Sequence, residues 1–224
     1  MSDTDSFIDE VNEELRRDKL FHLFRKYGWI AVALVVLVVG AASYYEWQKV
    51  REKAAAEALG DSIILALGAV SPESRVQQLA TISTDNTQAQ YYLDLLKSAS
   101  QTEAGDRTAA LRLLDAVAAD TDAPEVYRQL AELKAVILRG ADQDRATRMA
   151  TLERLATAGA PFRVQAMEQQ ALAMFEFGDK DGALVILKNI LNEPGATQGL
   201  IQRAQQLIVA LGGELSTAAD AATE

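Results

Sequence analysis

The chain has 224 residues, with 22 basic and 32 acidic side chains and a net charge of -10. That length allows one or two domains, and that charge opposes general nucleic-acid binding, which needs basic clusters to meet phosphates. There is no Cys and one His, His22, so no disulfide, thiolate nucleophile or Cys metal site exists, and everything after residue 22 lacks the commonest general base and metal ligand. Four Pro and 13 Gly beside many Ala and Leu favour helices, so the expected fold class is all-α.

Residues 1–26 are charged and amphipathic. Ser6 can cap a helix with Asp9 three residues on, and Ile8, Val11 and Leu15 share a helical face. Leu20, Phe21, Leu23 and Phe24 add apolar surface around His22. A helix lying on the inner membrane surface fits this pattern, with docking to a cytoplasmic partner as the alternative.

Residues 27–45 are uncharged throughout, from Tyr27 to Tyr45. At 1.5 Å per residue they span about 28 Å, close to the hydrocarbon thickness of a bilayer. Tyr27 and Trp29 mark one end, and Tyr44, Tyr45 and Trp47 the other, as amphipathic rings do at the headgroup level. Gly40-Ala-Ala-Ser43 could offer a signal-peptidase site, but the run is longer than an h-region and many charged residues precede it. The reading is a single uncleaved anchor. Arg16, Arg17, Lys19, Arg25 and Lys26 before it outweigh Lys49, Arg51 and Lys53 after it. The positive-inside rule then places the N-terminus in the cytoplasm and residues 46–213 in the periplasm.

Residues 46–213 read as helical repeats. Gly68, Gly105, Gly140 and Gly178 recur at intervals of 37, 35 and 38 residues. An amphipathic helix follows each one: Ala110, Leu114, Val117 and Ala118 form a stripe that Arg148, Leu152, Leu155 and Ala156 repeat, and then Ala183, Leu187, Ile190 and Leu191. Val76, Leu79 and Ala80, after Pro72, make a weaker first copy. The helices before the glycines carry larger apolar residues: Tyr91, Tyr92, Leu95 and Leu96; Val126, Leu130, Leu133 and Ile137; Met167, Ala171, Met174 and Phe175. One helix pair cannot bury its stripe alone, so stacked pairs forming a right-handed solenoid are expected. A last helix, about 197–211, presents Leu200, Ile201, Ala204, Leu207, Ile208 and Leu211 as a cap, and Gly212-Gly213 stops it. Residues 214–224 are small and acidic and are expected to be disordered.

No catalytic, cofactor or metal site emerges. Asp142 and Asp144, like Asp120 and Asp122, read as turn acids, because Arg145 stands where a Ca²⁺ loop needs an oxygen ligand. Met167 and Met174 read as core. Binding remains: a solenoid offers a groove lined by the first helix of each pair. The groove candidates are Gln88, Tyr91, Tyr92, Arg128, Glu132 and Gln169. From residue 46 onward the chain carries 17 basic and 25 acidic side chains, a net of -8, which favours partners with basic surfaces.

The stretch Ala171-Leu-Ala-Met-Phe-Glu-Phe-Gly178-Asp-Lys-Asp-Gly-Ala183, continuing to Pro194, resembles the tetratricopeptide (TPR) family, with Ala171, Gly178, Ala183 and Pro194 at or beside its small and terminating positions. Other copies depart from it. Arg148 replaces a small residue, and the turn from Gly140 to Thr147 is three residues longer than its counterparts. The whole layout resembles the YfgM-like ancillary subunits of the SecYEG translocon. Ser6-Phe-Ile-Asp-Glu-Val11, Tyr27-Gly-Trp29 and Gln202-Arg-Ala-Gln-Gln-Leu-Ile208 look like the alphaproteobacterial version. The resemblance implies a non-catalytic inner-membrane TPR scaffold beside the secretion channel. It implies a membrane-anchored periplasmic chaperone as partner, and no cofactor, nucleic acid or small-molecule substrate. A TPR adaptor for another envelope assembly, such as cytochrome maturation, is the alternative; an enzyme would show instead as a deep pocket with perturbed carboxylates.

Overall fold

No Pro precedes Pro72, and the apolar run is followed by an Ala-rich charged stretch, so nothing in the first 67 residues breaks a helix. In a computed structural model, which describes the backbone of residues 3–214 and the side chains of residues 25–214 other than Ala31, α1 runs unbroken over Asp3–Leu67. The expected amphipathic side chains around His22, and the tail beyond Glu214, lie outside the described residues.

The chain forms two compact units, Met1–Asp61 and Ser62–Glu224. The first consists of α1 up to Asp61. The candidate membrane span of α1, Arg25–Leu67, contains a window long and apolar enough to cross a membrane, and none of that window is buried by protein. The five expected interface rings, Tyr27, Trp29, Tyr44, Tyr45 and Trp47, are all exposed. Cations attend two of them: Lys26 Nζ lies 5.4 Å from the Tyr27 ring centre, and the Arg51 guanidinium lies 4.7 Å from that of Trp47.

The second unit holds helices joined by short turns, with no strand among its described residues. After the end of α1 come α2 (Pro72–Ala80), α3 (Thr87–Glu103), α4 (Arg107–Ala119) and α5 (Glu125–Arg139). A 3-10 turn over Gly140–Asp142 leads to α6 (Arg145–Leu155), α7 (Arg163–Glu176), α8 (Lys180–Leu191) and α9 (Gln198–Ala210). Each helix packs chiefly on the one before and the one after it in the chain, and α3 also touches α5. Short polar caps start the helices: Ser71, Asn86, Asp106, Asp144, Asp179 and Thr197 each accept a backbone N–H three residues on.

The halves α2–α5 and α6–α9 match at an offset of 73 residues, with α7 starting three residues later than that offset would place it from α3. Helices α4 and α8 begin at Arg107 and Lys180, and α5 and α9 at Glu125 and Gln198. The caps Ser71 and Asp106 correspond to Asp144 and Asp179. The buried core corresponds as well: Leu79 with Leu152, Ala110 with Ala183, Leu114 with Leu187, Val117 with Ile190, and Ala131 with Ala204. The stripes expected at residues 110–118, 148–156 and 183–191 are therefore the inner faces of α4, α6 and α8.

Two expectations about the core need correcting. Val126, Ile137 and Phe175 are among the exposed large apolar side chains, and the buried positions of α3 and α5 include Leu93, Ala131, Ala135 and Val136 instead. These helices are packed on two sides, and the small Ala131 and Ala135 let a neighbour approach where a larger stripe would hold it off. Arg148, at a site expected to need a small residue, is 3% exposed. Its guanidinium pairs with Glu176 and lies 5.9 Å from the Phe177 ring centre. The equivalent pair in the first half is Arg75 with Glu103.

Gly105 and Gly178, the matching turns after α3 and α7, have φ of 82° and 85°. No atom lies within 4 Å of a Cβ added at either. Gly105→Ala and Gly178→Ala should each cost about 1 kcal/mol from backbone strain alone, measured by urea unfolding. A much larger loss would point to a steric clash absent from this packing.

Candidate functional site

Helices α3, α4 and α5 run up, down and up. The Tyr91 hydroxyl near the start of α3 donates to Asp120 Oδ2 at the end of α4 (2.8 Å). Arg107 at the start of α4 donates from Nε and Nη2 to the carbonyls of Leu138 and Arg139 at the end of α5 (2.9 and 2.6 Å). Helices α3 and α5 are therefore parallel and meet at their N-terminal turns, where the Tyr91 and Tyr127 ring centres are 6.3 Å apart.

That geometry sorts the groove candidates. Tyr91 is buried in the core formed with Leu95, Leu114, Ala131 and Ala135, and does not line an open surface. Its contact with Asp120 raises the phenol's pKa, through the hydrogen bond first and burial second. Gln88 and Tyr92, four residues apart, share an exposed face of α3. Arg128 is half-buried near Asp120, and Glu132 is paired with Arg154 of α6. Gln169 is half-buried on α7. Gln88 and Tyr92 thus come together, whereas Arg128 and Glu132 turn toward neighbouring helices and Gln169 belongs to the second half.

On facing parallel helices, the residue after a contact on one and the residue before it on the other fall on the same side. Tyr91 meets Tyr127, so Tyr92 and Val126 share a side. One turn on, Leu95 and Ala131 belong to one core, so Leu96 and Leu130 share it too. Ile137 continues the strip along α5. Tyr92, Val126 and Ile137 are 49%, 43% and 46% exposed, and Leu96 and Leu130 are half-buried. Sequence reasoning assigned four of these five to the core because apolar periodicity alone does not say which stripe of a doubly packed helix stays open.

The matching seam of α7 and α9 is polar. Leu95 and Leu130 are replaced there by Glu168 and Arg203, joined by hydrogen bonds of 2.7 and 3.0 Å. Glu168 is 8% exposed. Asp120 is matched by Glu193, which accepts from Arg163 Nε at 2.7 Å where Asp120 accepts from Tyr91. In both halves an acid after the second helix of a pair is thus pinned back to the first.

Among the described residues, no group of His, Cys, Asp and Glu could hold a metal ion. One shallow cavity of about 240 Å³ lies between α2, α3 and α4, lined by Val76, Ala80, Lys97, Gln101 and Leu113. Lys97 Nζ donates to the Ile82 carbonyl (3.2 Å). Set against protein-family models, curated proteins and solved structures, the chain has no match.

Two predictions follow from these polar contacts. Arg203→Leu leaves Glu168 buried without its partner and should lower Tm by a few degrees, while Glu168→Leu with Arg203→Leu rebuilds the leucine pair of the first half and should restore or exceed the original Tm. Equal losses in the single and double variants would dissociate the two seams.

The second prediction concerns acid. Hydrogen bonds from the Asp122 N–H and the Tyr91 hydroxyl hold Asp120 below the usual carboxylate range. The Thr147 N–H and hydroxyl do so for Asp144, and Arg163 does so for Glu193. A carboxylate with a lowered folded-state pKa stabilises the fold above its unfolded value near 4, and the contribution is lost as pH falls through the folded value. Thermal midpoints should therefore fall as pH drops below about 4. Asp144→Asn, which keeps a cap acceptor without the titration, should show a smaller acid loss. An unchanged acid limb would remove Asp144 from the effect.

Proposed function

We propose that this chain is a non-catalytic, membrane-anchored scaffold for protein–protein interaction, whose second unit is a degenerate TPR-like solenoid. The observation that carries this reading is the chain-order packing of α2–α9, in which two matching sets of helix pairs follow one another and leave long helix faces open. An open array of this kind supplies recognition surface in proportion to its length. The exposed apolar stretch of α1 supports the anchor, and the basic residues before it support a cytoplasmic N-terminus with the helical unit in the periplasm.

The partners proposed are the SecYEG translocon and a membrane-anchored periplasmic chaperone, on the strength of the resemblance in the layout of charged segment, anchor and repeats. In-cell crosslinking of the tagged full-length protein, followed by mass spectrometry, tests this assignment. Recovery of translocon subunits with an anchored chaperone is the expected result. Enrichment of a different envelope complex, such as one for cytochrome maturation, would keep the scaffold and replace its partners. Recovery of no protein partner at all would remove the scaffold reading.

A further inference from the structure

We propose that the seam between α3 and α5 binds a partner's polypeptide segment that carries apolar side chains with basic residues at one end. This rests on the scaffold reading above and assigns the recognition surface and its chemistry.

The inference starts from the comparison of the two halves. Tyr92, Leu96, Val126, Leu130 and Ile137 line the first seam. The residues 73 further on are Gln165, Gln169, Gly199, Arg203 and Ala210. The helices they stand on correspond in both halves: α3 and α7 end at Glu103 and Glu176, α5 and α9 begin at Glu125 and Gln198, and buried Leu93, Ser98 and Ala131 match buried Ala166, Ala171 and Ala204. Packing of this architecture thus proceeds with polar or small residues at all five places. Leu130 packs on the core beside it, but Tyr92, Val126 and Ile137 stand close to half exposed where the second half carries Gln165, Gly199 and Ala210, so their apolar side chains are not required by the fold. Exposed apolar surface costs free energy that burial against a partner would recover, at about 25 cal/mol per Å². A single exposed Val or Tyr is ordinary. A strip of five on two parallel helices, absent from the matching seam of the same chain, marks a place for apolar side chains of another molecule.

Charge selects the orientation of the occupant. Helices α3 and α5 both begin at the Tyr92–Val126 end. Asp85 precedes the cap of α3, and Asp120, Asp122 and Glu125 surround the start of α5. Asp85, Asp122 and Glu125 are exposed. Arg128 acts on Asp120, Lys97 is held by the Ile82 carbonyl, and Lys134 lies two turns further along α5. The mouth of the seam is thus acidic and its length apolar. The complementary segment places basic residues at the mouth and apolar side chains along α5 toward Ile137. Such a segment would also be steered to residues 46 onward, whose net charge is -8.

The test uses the full-length protein in nanodiscs, with empty nanodiscs as the blank. The probe is a fluorescein-labelled synthetic peptide with two Arg followed by alternating Leu, Ser and Phe, read by anisotropy. The first variant combines Tyr92→Gln with Ile137→Ala, giving the first seam two residues that the second seam already carries. Its circular dichroism melt should match the unmodified protein, and its affinity for the probe should fall at least tenfold. Phe175→Ser removes an equally exposed apolar side chain outside the seam and should leave affinity unchanged. Replacing the two Arg of the probe by Glu should weaken binding, and Glu125→Lys should recover part of it. No binding of the probe by the unmodified protein, or an equal loss with Phe175→Ser, would overturn the proposal. So would self-association of the unmodified protein abolished by the seam variant, which would make a second copy the occupant. Crosslinking the seam variant in cells separates the two levels: partners retained by both proteins would reject the seam and keep the scaffold, while no partner with either would reject the scaffold itself.

Discussion

No helix of the second unit can bury its apolar side chains alone. Nine to seventeen residues make a marginal helix in water, and each depends on the flanking pair for cover. The three cores follow this dependence. Tyr91, Leu95, Leu114 and Ala131 join α3, α4 and α5. Leu133, Val136, Leu152 and Ala166 join α5, α6 and α7. Met167, Leu187, Leu200 and Ile208 join α7, α8 and α9. Each core shares a helix with the next, so α5 and α7 are packed on two sides. Two-sided packing leaves such a helix only narrow open faces, and function has to be found there.

The offset between halves shows which features answer to packing and which do not. Leu79 and Leu152, or Gly105 and Gly178, repeat because a buried contact or a left-handed turn admits few alternatives. The pair Leu95 and Leu130 against Glu168 and Arg203 shows a second class: one geometric slot between parallel helices is filled by dispersion in one half and by a bidentate ion pair in the other. A paired charge in that slot costs desolvation that its hydrogen bonds offset, so the two solutions can coexist in one chain. The open seam is the third class, where the halves diverge in character rather than in means.

Much of the architecture was readable from the sequence. The glycine intervals located the ends of α1, α3, α5 and α7, and the stripes of α4, α6 and α8 were identified because those helices bury one narrow face. The faces of α3 and α5 were not. Val126, Leu130, Leu133 and Ile137 have helical spacing, but Leu133 turns to α6 and Leu130 to α3 while Val126 and Ile137 remain open. Periodicity reports that a helix has an apolar side; it does not divide that side between two neighbours and a groove. Arg148 was misjudged for a related reason. A long side chain can replace a small one where its charge reaches an acid at the end of the next helix, as it reaches Glu176.

The two units also treat exposed apolar surface differently. Between Tyr27 and Tyr45 the surface surrounds the helix, so cover must come from all directions, as a bilayer supplies it. On α3 and α5 the exposure is a single strip bordered by a packed core and by acids at one end. A bilayer would have to desolvate Asp85, Asp122 and Glu125 to reach that strip, which sets a cost that a narrow polypeptide segment avoids. Cover from one side, with cations placed at one end, is what a chain of alternating apolar side chains and a basic terminus provides.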